Sequence, residues 1–331
     1  MFDQFPEKIN LANTPTPLVF LEKLSKKIGG PNIWLKRDDF TGSFLTGNKV
    51  RKLEYIVARA LKEGAGALIT CGGIQSNHCR ATALVCAQLG LEAHLVLRKE
   101  NSLEIDGNYF LDNLAGAKIH LYSPQEYFSN LENIFVEIKN TLKTQGKHSY
   151  SIPTGASDGV GIWGYVECVK ELKADFELHG INPEYIVCAT GSGGTQSGLS
   201  LGSHLLGVEA QTIGYAVCDD ANYFNKKAQK DIEQCNALYD LGVSVNTVTI
   251  KTIDDYIGAG YAKGYPELYT FIKEICRLEG IVLDPVYTGK AFYGLVNDIN
   301  SGRYQGVKDI VFIHTGGVYG LFPFRNDFHF V

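Results

Sequence analysis

The sequence predicts an α/β protein built from two parallel-sheet domains. Three observations carry that prediction. Apolar runs of strand length recur along the chain, each ends in a glycine-rich turn, and helical patterns follow the turns. At 331 residues the chain is long enough for two cores. In order, residues 67–71 read as a buried strand, Gly72 and Gly73 as a turn, residues 81–89 as helix and 92–97 as the next strand. The arrangement repeats with a strand at 185–189, a turn at 191–194, a helix over 199–206 and a strand at 211–216. A further strand at 310–314 runs into Gly316 and Gly317. Strands alternating with helices imply parallel sheets, whose ligands bind at the carboxyl ends of strands, where these turns lie. No Pro/Ser-rich spacer separates the units, so the domains are expected to exchange segments near 42–47 and 145–157. That places a smaller domain at 52–157 and a larger one at 1–51 plus 158–331.

Charged residues make up 20% of the chain and the net charge is −5, so no basic surface for nucleic acid is expected. The eight cysteines are dispersed without a C-x-x-C pair, which reads as free thiols in a reducing compartment. The eight histidines lack metal-ligand spacing, so no metal is expected. The first residues lack a basic start followed by an apolar stretch, and no apolar run approaches the ~20 residues of a membrane helix. A cytoplasmic protein is the expectation.

Three segments stand out chemically. Gly47-Asn48-Lys49-Val50-Arg51-Lys52 opens an amphipathic run with three cations in four positions. Cations in a first helical turn oppose the helix dipole, so a plain basic helix start explains them poorly. A lysine beside a phosphate, placed to form a Schiff base, meets the requirement for an anion. Next, Gly72-Gly73-Ile74-Gln75-Ser76-Asn77-His78 lies at a strand-to-helix turn. Ser76 or Asn77 could simply cap the helix, but the run of polar residues exceeds what a cap needs and suits a substrate carboxylate. Last, Thr190-Gly191-Ser192-Gly193-Gly194-Thr195-Gln196-Ser197-Gly198 follows a strand and precedes a helix. Gln196 stands where a dinucleotide fingerprint needs its third glycine, and no G-K-[ST] ending makes it a Walker loop. A single phosphate of a small cofactor is the occupant that remains. Tyr261 and Tyr287 are not distinguished by composition in a chain with 18 tyrosines.

Taken together, the segments resemble the D-cysteine desulfhydrase / 1-aminocyclopropane-1-carboxylate (ACC) deaminase family of pyridoxal-phosphate enzymes. The likeness runs from Thr14-Pro15-Thr16-Pro17-Leu18 to His314-Thr315-Gly316-Gly317 and is most specific at Gly47-Asn48-Lys49-Val50-Arg51-Lys52-Leu53-Glu54 and Gly73-Ile74-Gln75-Ser76-Asn77. It implies the tryptophan-synthase β-like fold (fold type II), pyridoxal 5'-phosphate as cofactor in the larger domain, a small amino acid as substrate and a homodimer. It makes Lys49 the Schiff-base lysine and sets Asn77 on the cofactor's phenolic oxygen. Lys52, Gly191, Ser192, Gly193, Gly194 and Thr195 would hold the phosphate. Ser76, helped by Gln75 and Asn77, would face the substrate carboxylate, and Tyr261 and Tyr287 would handle protons or position a nucleophile.

One position separates two chemistries within the family. ACC deaminases carry glutamate after the tyrosine matching Tyr287, which keeps the pyridine nitrogen protonated; here the residue is Thr288. Thr288 and Thr315 instead imply a hydroxyl partner, sufficient for β-elimination. Ser76-Asn77-His78 and Pro153-Thr154-Gly155-Ala156-Ser157 also resemble the desulfhydrase branch. The expected reaction is conversion of D-cysteine to pyruvate, sulfide and ammonia, with ACC deaminase and cysteate sulfo-lyase as alternatives.

Overall fold

The computed structural model describes residues 4–99 and 104–330. Its strands are β1 (Leu18–Phe20), β2 (Asn32–Lys36), β3 (Ala67–Gly73), β4 (Glu92–Arg98), β5 (Lys118–Tyr122), β6 (Ser149–Ser151), β7 (Tyr185–Thr190), β8 (Gln211–Ala216), β9 (Lys251–Ile253) and β10 (Asp309–Ile313). They form two sheets. One has four strands in the order β5-β4-β3-β6, all parallel. The other has six in the order β1-β2-β10-β7-β8-β9, parallel except for β1 at its edge.

All five strands expected from apolar runs are present, within two residues at their ends. The other five were not anticipated. Four of those expected strands, β3, β4, β7 and β10, have middles with no polar interruption or a single one, as central strands covered on both faces require. Three of the unanticipated ones are only three residues long, too short for a period to show. β2 carries Lys36, fully buried because its ammonium pairs with Glu171 and Asp175 and donates to Thr16 O.

Helix Asn48–Lys62 ties the sheets together. Its apolar face (Leu53, Ile56, Val57, Ala60) joins one cluster with Leu68 and Leu95 of the four-stranded sheet and with Trp163 and Val166 of helix Trp163–His179. Its start is fixed by Gly47, at φ 98°, where a Cβ would lie 2.6 Å from Thr315 O. Arg51 fixes the other side. Its guanidinium donates to both oxygens of Asp38 at 2.9 Å and to Glu171 at 2.7 and 2.9 Å, while Tyr165 Oη donates to Asp38 at 2.7 Å. One of the three cations noted in the sequence thus finds its anions within the protein. Among the described residues, no helix is long and apolar enough to cross a membrane.

Candidate active site

The glycine turns after β3, β7 and β10 open onto a common cavity of about 890 Å³. Lys49, Ser76, Asn77, Gly191, Ser192, Gly193, Thr195, Tyr261, Tyr287 and Thr315 all line it, drawn from segments up to 266 residues apart in sequence (315 − 49). Lys49 sits in the first turn of helix Asn48–Lys62, and burial lowers its ammonium to about 8. Gly155, at φ 66°, keeps space beside it: a Cβ there would stand 3.3 Å from Lys49 Nζ and 2.3 Å from Ser192 Oγ.

One end of the cavity is built for an anion. Helix Gly194–Leu206 begins there without a side-chain cap. Ser157 Oγ lies 2.9 Å from Ser192 Oγ and accepts from Gly194 N at 3.1 Å. Thr195 Oγ1 accepts from Asn48 Nδ2 at 3.0 Å, which leaves its own proton to donate. Thr190 Oγ1, buried on the same wall, has no protein partner among the described residues. Lys52 approaches from behind, and Lys227 lines the cavity, where it pairs with Asp231 and donates to Ser157 O at 3.0 Å. Burial, and then repulsion from Lys49 and Lys227, hold the Lys52 ammonium well below its usual range. Three ammonium groups converging on one turn call for a further negative charge.

Two expected phosphate contacts are displaced by one layer. Lys52 does not line the cavity; its Nζ donates to Gly155 O and Ser157 Oγ, each at 3.3 Å. Gly194 does not line it either, because its N–H is taken by Ser157. Ser157 therefore stands at the cavity wall where the resemblance had implied Lys52 and Gly194. It lies 35 residues from Ser192, and no local pattern links the two (192 − 157).

At the turn after β3, Ser76 caps helix Asn77–Leu89 by accepting from Cys79 N at 3.2 Å. Its hydroxyl proton remains available to the cavity, so cap and binding group coincide. Asn77 Oδ1 accepts from Asn108 Nδ2 at 2.9 Å, leaving the Asn77 amide N–H groups as donors. Gln75 corrects the expectation of a carboxylate contact. Its amide donates to Asp106 O at 3.0 Å and accepts from Asn108 N at 2.9 Å, away from the cavity wall. His78 lines the cavity with Nε2 held 2.7 Å from Thr70 Oγ1, whose proton goes to Ile152 O. Nδ1 is then a lone-pair acceptor, and burial followed by Lys49 and Lys52 keeps the ring neutral.

Tyr261 and Tyr287 face each other with their hydroxyls 2.6 Å apart. Burial raises Tyr261 to about 12, and burial with the neighbouring phenol raises Tyr287 well above its usual range, so both keep their protons near neutral pH. Thr315 lines the cavity, but Thr288 is fully buried outside it. The reason is the turn that leads into helix Thr288–Asn300. Thr288 Oγ1 donates to Asp284 Oδ1 at 2.7 Å, and the same carboxylate accepts from the N–H groups of Val286, Tyr287 and Thr288 at 2.9, 2.8 and 2.9 Å.

The family model described as pyridoxal-phosphate dependent enzyme matches residues 9–316. The chain belongs to the pyridoxal-phosphate dependent enzyme family. It is 42% identical over 323 residues to the bifunctional D-cysteine desulfhydrase/1-aminocyclopropane-1-carboxylate deaminase, mitochondrial, of Arabidopsis thaliana, covering 95% of this chain and 79% of that one. It is also 42% identical to a putative 1-aminocyclopropane-1-carboxylate deaminase of Thermotoga maritima, covering 95% and 97%. A solved structure described as an ACC deaminase homologue matches with a TM-score of 0.89 at 39% identity, covering 98% of this chain and 96% of that one. The fold is therefore fold type II, and the cofactor of this pyridoxal-phosphate dependent enzyme is pyridoxal phosphate. The residues present fit it. Lysine ammonium groups, the hydroxyls of Ser192 and Thr195 and the orphan Thr190 hydroxyl suit a phosphate, and Lys49, with its lowered ammonium, suits an aldehyde.

Proposed function

We propose that this pyridoxal-phosphate dependent enzyme eliminates hydrogen sulfide from D-cysteine, consuming water and yielding pyruvate and ammonia. One observation carries the choice of elimination over cyclopropane opening. The cavity wall at Thr315 offers a hydroxyl, and the nearby buried acid, Asp284, is already occupied by four donors from residues 286–288. Among the described residues that line the cavity, no carboxylate stands beside Thr315 to keep a pyridine nitrogen protonated, which ring opening demands.

When bound, pyridoxal phosphate supplies the electron sink for the substrate's α-carbon. Ser192 and Thr195 would hold its phosphate with Ser157, Lys52 and Lys227 behind them, and Thr315 would meet its pyridine nitrogen. Asn77 would meet the phenolic oxygen through the amide that Asn108 orients. Lys49 would hold the group's aldehyde carbon. With its ammonium near 8, the Lys49 amine, when free, would take the substrate's α-proton at neutral pH. Ser76 Oγ and the N–H groups at the start of helix Asn77–Leu89 would bind the substrate carboxylate. The Tyr261–Tyr287 pair, protonated and joined by one hydrogen bond, would return a proton to the departing sulfur.

The test is a substrate panel. The protein loaded with pyridoxal phosphate is incubated with D-cysteine, L-cysteine, cysteate and ACC, and pyruvate, 2-oxobutyrate, sulfide and sulfite are measured. Equal amounts of pyruvate and sulfide from D-cysteine are expected. Formation of 2-oxobutyrate from ACC, with no pyruvate from D-cysteine, overturns the proposal.

A further inference from the structure

Segment 257–263 carries Tyr261 to the cavity with little to hold its own shape. Gly258, Gly260 and Ala262 stand at φ 67°, 115° and 56°, so Tyr261 sits between two left-handed residues. Among the described residues, its backbone makes one hydrogen bond to other backbone, Lys263 N to Gly260 O at 3.3 Å. Lys290 supplies the rest. Its Nζ, fully buried, donates to Ile257 O and Gly260 O at 2.7 Å and to Val217 O at 3.4 Å, next to the cavity-lining Cys218. All three ammonium donors are thus spent on carbonyls. Lys290 stands three positions after Tyr287 (290 − 287), in the first turn of helix Thr288–Asn300. Tyr287 is itself pinned there by its N–H to Asp284. One helix start therefore carries one phenol and grips the loop that carries the other. The two hydroxyls meet at 2.6 Å with their rings at 71°. A slip of the loop by about 1 Å would take that contact past hydrogen-bond length.

We infer that Lys290 is a positioning residue for the elimination: it sets Tyr261 against Tyr287 and thereby aims the proton that meets the departing sulfur. The inference rests on the elimination reading. In the step concerned, the Cβ–S bond breaks with its electron pair on sulfur, and a proton from one phenol forms the S–H bond. The phenolate left behind keeps the other phenol's hydrogen bond until solvent water returns the proton. Lysine suits the task because a compact ammonium with three rotatable donors meets converging carbonyls, which a planar guanidinium does not.

Lys290→Met keeps the length of the side chain and removes its donors; Lys290→Gln, which keeps an amide donor, stands in where Lys290→Met does not fold. Wild type, Lys290→Met, Tyr261→Phe and the double variant are compared on D-cysteine and on β-chloro-D-alanine, whose chloride departs without a proton. Lys290→Met is expected to lower kcat on D-cysteine at least about tenfold with KM within about threefold, and kcat on β-chloro-D-alanine less than about threefold. Added to Tyr261→Phe it should cost less than about twofold more, because it acts through that phenol. Losses that multiply, equal losses on both substrates or no loss overturn the inference. Carbon-13 NMR of the loaded protein, with tyrosine labelled at Cζ, reads the pair without turnover. The Tyr287 signal, identified by its loss in Tyr287→Phe, should move in Lys290→Met to the position it takes in Tyr261→Phe. A signal that stays at its wild-type position overturns the inference. If wild type turns ACC over and releases no pyruvate from D-cysteine, the elimination reading fails, and the Tyr287 signal alone decides whether Lys290 sets the pair.

Discussion

Lys49 occupies a place where an ammonium is costly, and its chemistry follows from that. Burial brings it to about 8, so a useful fraction is neutral amine at physiological pH, whereas an ordinary lysine is almost wholly charged. Only the neutral form attacks an aldehyde. Capture of pyridoxal phosphate by the cofactor-free protein should therefore accelerate from about pH 6 to about pH 8 and level off above, as the lowered value dictates. Stopped-flow absorbance measures it; a rate still climbing towards pH 10 would mean an unperturbed ammonium. At this scale the sequence was legible where a residue's own backbone setting decides its fate. Lys49, Ser76, Asn77, Gly191, Ser192, Gly193 and Thr195 all fall on strand ends or helix starts and reach the cavity. It was not legible where a side chain had competing partners. Gln75 turns to Asp106 and Asn108, and Thr288 to Asp284, partners that spacing around the motif does not reveal.

At the scale of elements, helix Gly107–Leu114 buttresses the turn after β3. Asn108, fully buried, gives its amide to Asn77 Oδ1 and Gln75 O, both at 2.9 Å, and its N–H to Gln75 Oε1. Replacing it with alanine leaves the Gln75 carbonyl and Asn77 Oδ1 without these donors. A loss of about 2–3 kcal/mol is expected in urea denaturation, with a shift in the bound cofactor's visible band as the Asn77 amide reorients. An unchanged spectrum with lowered stability would mean that Asn108 supports the fold alone. Nothing in the sequence singled out Asn108, because its partners lie 31 and 33 residues away on another element. Loop 257–263 is built on the same plan. Lys290 Nζ donates to Ile257 O and Gly260 O at 2.7 Å, fixing the segment that delivers Tyr261.

Across the whole molecule, two sheets aim their strand ends at one cavity, and helix Asn48–Lys62 is clamped between them. The sheets were readable because buried parallel strands are written as apolar runs; the clamp was not, since its ion pairs join residues up to 120 positions apart (171 − 51). Arg51→Met should cost about 3–5 kcal/mol by leaving the Asp38 carboxylate buried with its guanidinium partner gone, measured as a lower urea midpoint. A midpoint within error of wild type would show that Asp38 is satisfied without Arg51. The loaded mutant should keep its visible cofactor band, because Arg51 points away from the cavity. The lysines around the phosphate turn come from two helices, Asn48–Lys62 and Ala221–Tyr239, brought together only by folding. They do not discriminate between one small oxyanion and another. Inorganic phosphate or sulfate in a purification buffer would thus compete for the seat meant for the cofactor, and a preparation made in such salts would reconstitute slowly. A buffer free of phosphate, sulfate and primary amines is the better medium for handling this protein.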